Sequence, residues 1–168
     1  MSGAEGLARP TLTPRPLSLP EGGRERGVDA MLVHATTIDI AGLGVLIMGA
    51  SGAGKSDLAL RLIAEGAFLV ADDQTWVEAR GEGLRASAPE RIAGLIEQRG
   101  LGIARAPTKR ATRLRLAVAL SDAVERMPER RSWSLPGGGP ELPLIDFDAR
   151  ETSAPAKLRF ALAAVLNA

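Results

Sequence analysis

Cysteine is absent from the 168 residues, and so is tyrosine. The first absence excludes a disulfide scaffold and thiolate chemistry and fits a reducing compartment. The second leaves Trp76 and Trp133, with three Phe, as the whole aromatic complement, too little to form a platform on which unpaired bases could stack. An excess of one charge is also lacking. The 21 basic and 20 acidic residues leave a formal +1, so total charge marks neither a nucleic-acid nor a membrane partner. No apolar run reaches the ~18 residues that a bilayer span needs. The opening "MSGAEGLARPTLTPRPLSLPEGGRERG" has no apolar core of signal-peptide type. These absences together predict a cytoplasmic protein, and the length suits one domain with a single core.

Glycine is plentiful, and its placement carries the chemistry. Residues Gly49, Ala50, Ser51, Gly52, Ala53, Gly54, Lys55 and Ser56 read "GASGAGKS" and follow the apolar run "GVLIM" directly. In the spacing G-x-x-x-x-G-K-[ST] the glycines let successive backbone N–H groups curl round a phosphate. Lys55 is expected to reach the β/γ-phosphates and Ser56 to put its hydroxyl on Mg²⁺, with the following helix aiming its positive end at the bound charge. Context supports this order of strand, loop and helix, because Val45 to Met48 are apolar and Leu58, Leu62 and Ile63 form a helical stripe ending at Gly66.

The rest of the chain organises around that loop. Residues 1–29 hold four of the eleven prolines and little periodic apolar sequence, which predicts a disordered leader ahead of a domain spanning 30–168. "LVHATTIDIAGLGVLIMG" predicts two strands joined by a turn at Gly42-Leu43-Gly44, with Thr36, Ile38 and Ile40 on one face of the first. "AFLVADD" predicts a strand that completes a β-α-β unit and delivers Asp72 and Asp73 to the loop's edge. Adjacent strand residues point to opposite faces, so one carboxylate could serve Mg²⁺ and the other the phosphoryl acceptor. A hairpin around Gly81 to Gly83, a strand in "RLRLAVAL" with Leu114, Leu116 and Val118 alternating, a loop at "PGGGPELP" and a helix from Ala156 to Leu166 complete an α/β reading with a mixed sheet. Taken alone, His34, the charges around Glu97 and Arg99, and the basic group Lys109, Arg110, Arg113 and Arg115 read as ordinary structural or solvated residues.

The segments "HATTIDIAGLGVLIMGASGAGKSDLALRLIAEGAFLVADDQ", "LIEQRGLGI" and "VERMP" together resemble the catalytic domain of HPr kinase/phosphorylase, over about four-fifths of the chain. The outline is similar to short alphaproteobacterial forms. This resemblance implies a P-loop fold of the phosphoenolpyruvate-carboxykinase-like type and a hexamer. It also implies a Mg²⁺-dependent enzyme that uses ATP to phosphorylate a serine of the phosphocarrier HPr in a phosphotransferase system, and that reverses the reaction by phosphate attack on the phosphoserine. Carried onto this sequence, Asp73 matches the acid–base aspartate, while His34, Lys55 and Arg126 match catalytic positions. Ser56 and Glu97 match the metal-binding positions, and Asp72 supports them. In "DARETSAPAK", ahead of the C-terminal helix, one Arg stands where the family has two. A nucleotide-binding sensor without transfer activity and a small-molecule P-loop kinase are the competing readings. Asp73 and Glu97 together favour the HPr serine kinase over the sensor, since a pure binding module has no need of an acid–base group beside the terminal phosphate.

Overall fold

The computed structural model describes residues 30–167; the expected leader at 1–29 lies outside the described residues. Eleven strands and two helices follow in the order β1 (Ala30–Val33), β2 (Ala35–Ile40), β3 (Leu43–Met48), α1 (Lys55–Ala64), β4 (Phe68–Ala71), β5 (Thr75–Arg80), β6 (Gly83–Ser87), β7 (Leu95–Gln98), β8 (Gly102–Arg105), β9 (Ala111–Leu120), β10 (Arg131–Trp133), β11 (Leu142–Phe147) and α2 (Ala154–Leu166). The main sheet runs β1-β5-β6-β9-β3-β2-β4, with β11 also on β9 and β10 on β11. It is mixed, as expected: β9 is parallel to β3 and β11, and the other pairs are antiparallel. The strands β7 and β8 form a separate two-stranded hairpin.

The hairpin that enters the phosphate loop is β2–β3, but its turn is Ala41-Gly42 rather than Gly42-Leu43-Gly44. Both turn residues have positive φ, 53° and 89°, which suits a two-residue connection between twisted strands. Asp39 steadies the turn by accepting the Gly42 N–H at 2.8 Å. Leu43 and Gly44 already belong to β3. Gly44 has its own reason to be glycine, since a Cβ there would stand 2.5 Å from Thr112 Cγ2 and 2.8 Å from the Arg113 carbonyl oxygen.

Strand β4 runs in the sense of β3, as the β-α-β reading requires, but β2 lies between them and is antiparallel to both. The two strands still end on one edge, so the loop after β3 and the carboxylates after β4 meet. The outer edge of β4 is covered by the chain at 107–109, where Leu69 N–H donates to Pro107 O at 2.8 Å and Lys109 N–H donates to Leu69 O at 2.9 Å.

Two apolar cores flank the sheet. One packs Leu58 and Leu62 of α1 and Leu158 and Leu162 of α2 against Ile38, Val45, Ile47, Leu116 and Val118. The other packs Val77, Leu84 and Ala86 against Leu46, Leu114, Ala117, Leu135 and Leu142. Strict alternation would put Leu114 with Leu116 and Val118, and it does not. Gly44 pairs with Leu114 and Val45 with Leu116, so Arg115 is an extra residue on β9. This bulge turns Leu114 to the opposite face. Helix α2 starts at Ala154, two residues before the expected Ala156, with Pro155 in its first turn. Leu142 and Pro143, expected in a loop, open β11.

Candidate active site

Residues 49–54 join β3 to α1, and Lys55 and Ser56 open the helix. Gly52 and Gly54 have φ of 81° and 98°, a left-handed conformation that side chains resist, and Gly54 caps α1 with no side-chain hydrogen bond. At Gly49 a Cβ would lie 3.1 Å from Leu120 Cβ and 3.2 Å from Ala53 Cβ, so the loop is pressed against the end of β9. Within the loop, Ala53 N–H donates to Ala50 O, and Leu58 N–H to Gly54 O. Among the described residues, no protein acceptor meets the amides of Ser51, Gly52, Gly54, Lys55 or Ser56. Lys55 is 5% exposed, with Nζ donating to the carbonyls of Gly49 (2.9 Å) and Ala50 (3.1 Å) and lying 3.2 Å from His34 Nε2.

The two carboxylates at the end of β4 part company. Asp72 turns inward and is buried, its Oδ1 accepting from Ser56 Oγ at 2.7 Å and Thr36 Oγ1 at 2.9 Å, and its Oδ2 from the Glu97 amide at 3.1 Å. Asp73 turns outward, with Oδ1 3.5 Å from His34 Nδ1 and 3.9 Å from Lys55 Nζ. Its φ is 63°, and Gln74 N–H donates across it to Asp72 O at 2.7 Å. A non-glycine residue held in such a tight turn is strained, and the turn is what reverses the second carboxylate. The His34 ring faces Lys55 with Nε2 and Asp73 with Nδ1. Lys55, His34 and Asp73 thus form one polar row along the mouth of the loop.

The hairpin β7–β8 brings Glu97 to the same edge, but the contact with Asp72 comes from its backbone amide. The Glu97 side chain is exposed and makes no hydrogen bond among the described residues. Gln98 Nε2 donates to Ser56 O at 3.4 Å, a second tie between hairpin and loop. Arg126 is not brought to the others; it is exposed between β9 and β10 with no hydrogen bond or ion pair among the described residues. Thr36 was placed by sequence only as a face residue, yet its hydroxyl also accepts the Asp73 amide at 3.2 Å and so ties the Asp72 carboxylate to the Asp73 backbone. The signal for it was the two-residue period of β2, which puts it on the same face as the core residue Ile38.

The arrangement suits a polyphosphate and a hard divalent ion. The loop offers unpaired N–H donors, a left-handed glycine cap and one buried cation. Ser56 gives its only proton to Asp72, which leaves its lone pairs for an ion. Among the described residues no group of three His, Asp or Glu side chains is arranged to hold a metal by itself, so an ion here would need phosphate oxygens as ligands, as Mg²⁺ commonly does.

Comparison with known proteins agrees with this geometry. The family described as the HPr Serine kinase C-terminal domain matches residues 28–126. The HPr kinase/phosphorylase of Brevibacillus brevis is 51% identical over 72 residues, which cover 42% of this chain and 23% of the relative. The one from Bordetella pertussis is 41% identical over 109 residues, covering 57% and 35%, and the one from Limosilactobacillus reuteri 39% over 111, covering 66% and 34%. The matched region therefore spans only about a quarter to a third of these relatives' length. The solved HPr(Ser) kinase/phosphatase from Coxiella burnetii superposes with a TM-score of 0.69 at 27% identity, over 80% of this chain and 95% of that one. The fold is the mixed-sheet α/β fold of phosphoenolpyruvate-carboxykinase-like P-loop kinases.

Proposed function

The chain belongs to the HPr serine kinase C-terminal domain family, and from that premise we propose that it is an ATP- and Mg²⁺-dependent kinase that phosphorylates a serine of HPr or an HPr-like phosphocarrier. The single observation that carries the proposal is the division of labour between neighbours. Asp72 is spent on holding Ser56, whereas Asp73 stands exposed beside His34 and Lys55 at the mouth of the phosphate loop. A sensor needs the first carboxylate. Only a transferase needs the second.

In this reading ATP is held by the amides of 49–56 and by Lys55, and Mg²⁺ by Ser56 with Glu97 and Asp72 behind it. Together they supply the phosphoryl group and offset its charge. The chain's own residues do the rest. Asp73 accepts the proton of the incoming serine hydroxyl, and His34 holds Asp73 in place through Nδ1. Lys55, drawn from the carbonyls of Gly49 and Ala50 to the phosphates, stabilises the charge that develops there. In the reverse direction inorganic phosphate would attack the phosphoserine phosphorus, the serine O–P bond would break to give pyrophosphate, and Asp73 would return the proton to the serine oxygen. Arg126 is proposed as a further catalytic group on resemblance alone. The working form is proposed to be a cytoplasmic homo-oligomer, a hexamer by the same resemblance, and no helix among the described residues is long and apolar enough to cross a membrane.

The test is to incubate the protein with HPr, Mg²⁺ and ATP labelled at the terminal phosphate, then to add inorganic phosphate. Label should appear on an HPr serine and leave it in the second stage. Nucleotide binding with no label on HPr would refute the kinase reading and favour the sensor.

A further inference from the structure

We propose that Arg99, at the tip of the β7–β8 hairpin, is a second cation for the polyphosphate chain, reaching over the loop at Gly52. The proposal rests on the phosphate-loop reading above and adds to it a residue that the sequence left as a solvated charge. Among the described residues, apart from Gly52 itself and its two chain neighbours, only one heavy atom comes within 4 Å of where a Cβ of Gly52 would stand, and it is Arg99 Nη2, at 3.9 Å. Gly52 has φ 81° and its amide has no protein acceptor among the described residues, so the guanidinium lies over the part of the loop whose donors are unsatisfied.

The placement is held by the hairpin. Two residues before Arg99, the Glu97 amide is bonded to Asp72; one residue before it, Gln98 reaches Ser56 O. The turn Arg99-Gly100-Leu101 closes with Leu101 N–H donating to Gln98 O at 3.0 Å, and Gly100 and Gly102 take φ of 84° and 85°. The tip is thus tied to the loop at its base, with glycines letting the chain turn back at once. No carboxylate lies within ion-pair distance of Arg99 among the described residues, although nine ion pairs occupy other Lys and Arg side chains. An unpaired guanidinium beside a loop of free N–H donors matches a phosphate in geometry and in sign, and can bind it through two parallel N–H donors.

Calorimetric titration of the full chain with Mg²⁺–ATP and with inorganic tripolyphosphate tests this, using the parent, Arg99→Ala, Arg99→Lys and Lys55→Ala. Arg99→Ala should weaken both ligands by about tenfold or more, and Arg99→Lys should recover only part of the loss, since an ammonium lacks the two-pronged contact. Far-UV circular dichroism should not change, because the side chain is exposed. Affinity for both ligands within twofold of the parent, while Lys55→Ala loses binding, would overturn the role of Arg99 and leave the phosphate loop standing. Weakening for ATP alone would also overturn it, because the contact would then be to the nucleoside. A parent that binds neither ligand, or Lys55→Ala that binds both normally, would bring down the phosphate-loop reading and this proposal with it.

Discussion

At the scale of single residues, the two neighbouring aspartates and a third buried one behave in three different ways. Asp73→Asn keeps the shape and the tolerance for positive φ but removes the proton acceptor. Transfer to HPr should fall by about a hundredfold or more, with Mg²⁺–ATP affinity within about tenfold of the parent, because affinity comes from the loop amides and Lys55. Labelled transfer and calorimetry measure the two halves, and unchanged transfer would remove Asp73 from the chemistry. Asp39 lies far from that reaction. Burial alone would raise its carboxyl, but hydrogen bonds from the Thr112 hydroxyl, Lys109 Nζ (2.9 Å) and Gly42 N–H, with the Lys109 charge, outweigh burial and hold it below its ordinary value. A lowered folded-state value means that this contribution to stability is complete above the unfolded-state pKa of about 4 and is lost as pH falls through the folded one. Asp39→Asn should therefore flatten the pH dependence of the thermal midpoint below about pH 4, and at neutral pH it should cost about 1 kcal/mol by weakening the hydrogen bonds from Thr112 and from Lys109, whose ammonium remains half in water. Acid titrations followed by circular dichroism check the first effect and urea denaturation the second. Lys109 read from sequence as part of a solvated basic group. That reading missed the ion pair because the partner lies 70 residues away in sequence.

The elements show which local rules were decisive. Hydrophobic period, glycine spacing and the order strand, loop, helix made β2, β3, α1, β4 and the β5–β6 hairpin legible, since each is written in a contiguous run. Short strands were not legible. The strands β1, β7, β8, β10 and β11 have three to six residues, β8 is exposed throughout, and each gains its identity from a partner rather than from its own pattern. The site was readable to the same extent. The loop and the Asp pair followed from spacing, but Glu97 and His34 needed resemblance, and Thr36 and Arg99 needed coordinates. Gly44 provides the test at this scale. Gly44→Ala drives a methyl into Thr112 and the Arg113 carbonyl, backbone that cannot step aside, and should destabilise the fold by about 1–3 kcal/mol. Chemical denaturation measures the loss, and an unchanged midpoint would mean that β3 and β9 separate more easily than their packing indicates.

For the whole molecule, the proposed assembly has a direct readout. Leu101, Ile103, Met127 and Phe160 are each more than 70% exposed, large apolar side chains that a monomer leaves in water. Sedimentation equilibrium should give several times the 17.6 kDa of one chain, and a single-chain mass at micromolar concentration would exclude the hexamer. The two cores that these surfaces enclose are both lined by β2, β3, β9 and β11, and the extra residue Arg115 lies on β9 between Leu114 and Leu116. In the language of crystals Arg115 is a dislocation. The strand arrives in phase with one core and leaves in phase with the other, and the mismatch is confined to one position. Any register of this chain that skips the defect reads half of the strand inside out. Excising Arg115 would heal the defect, because Leu114 and Leu116 would then be neighbours that alternate onto the two faces they already occupy.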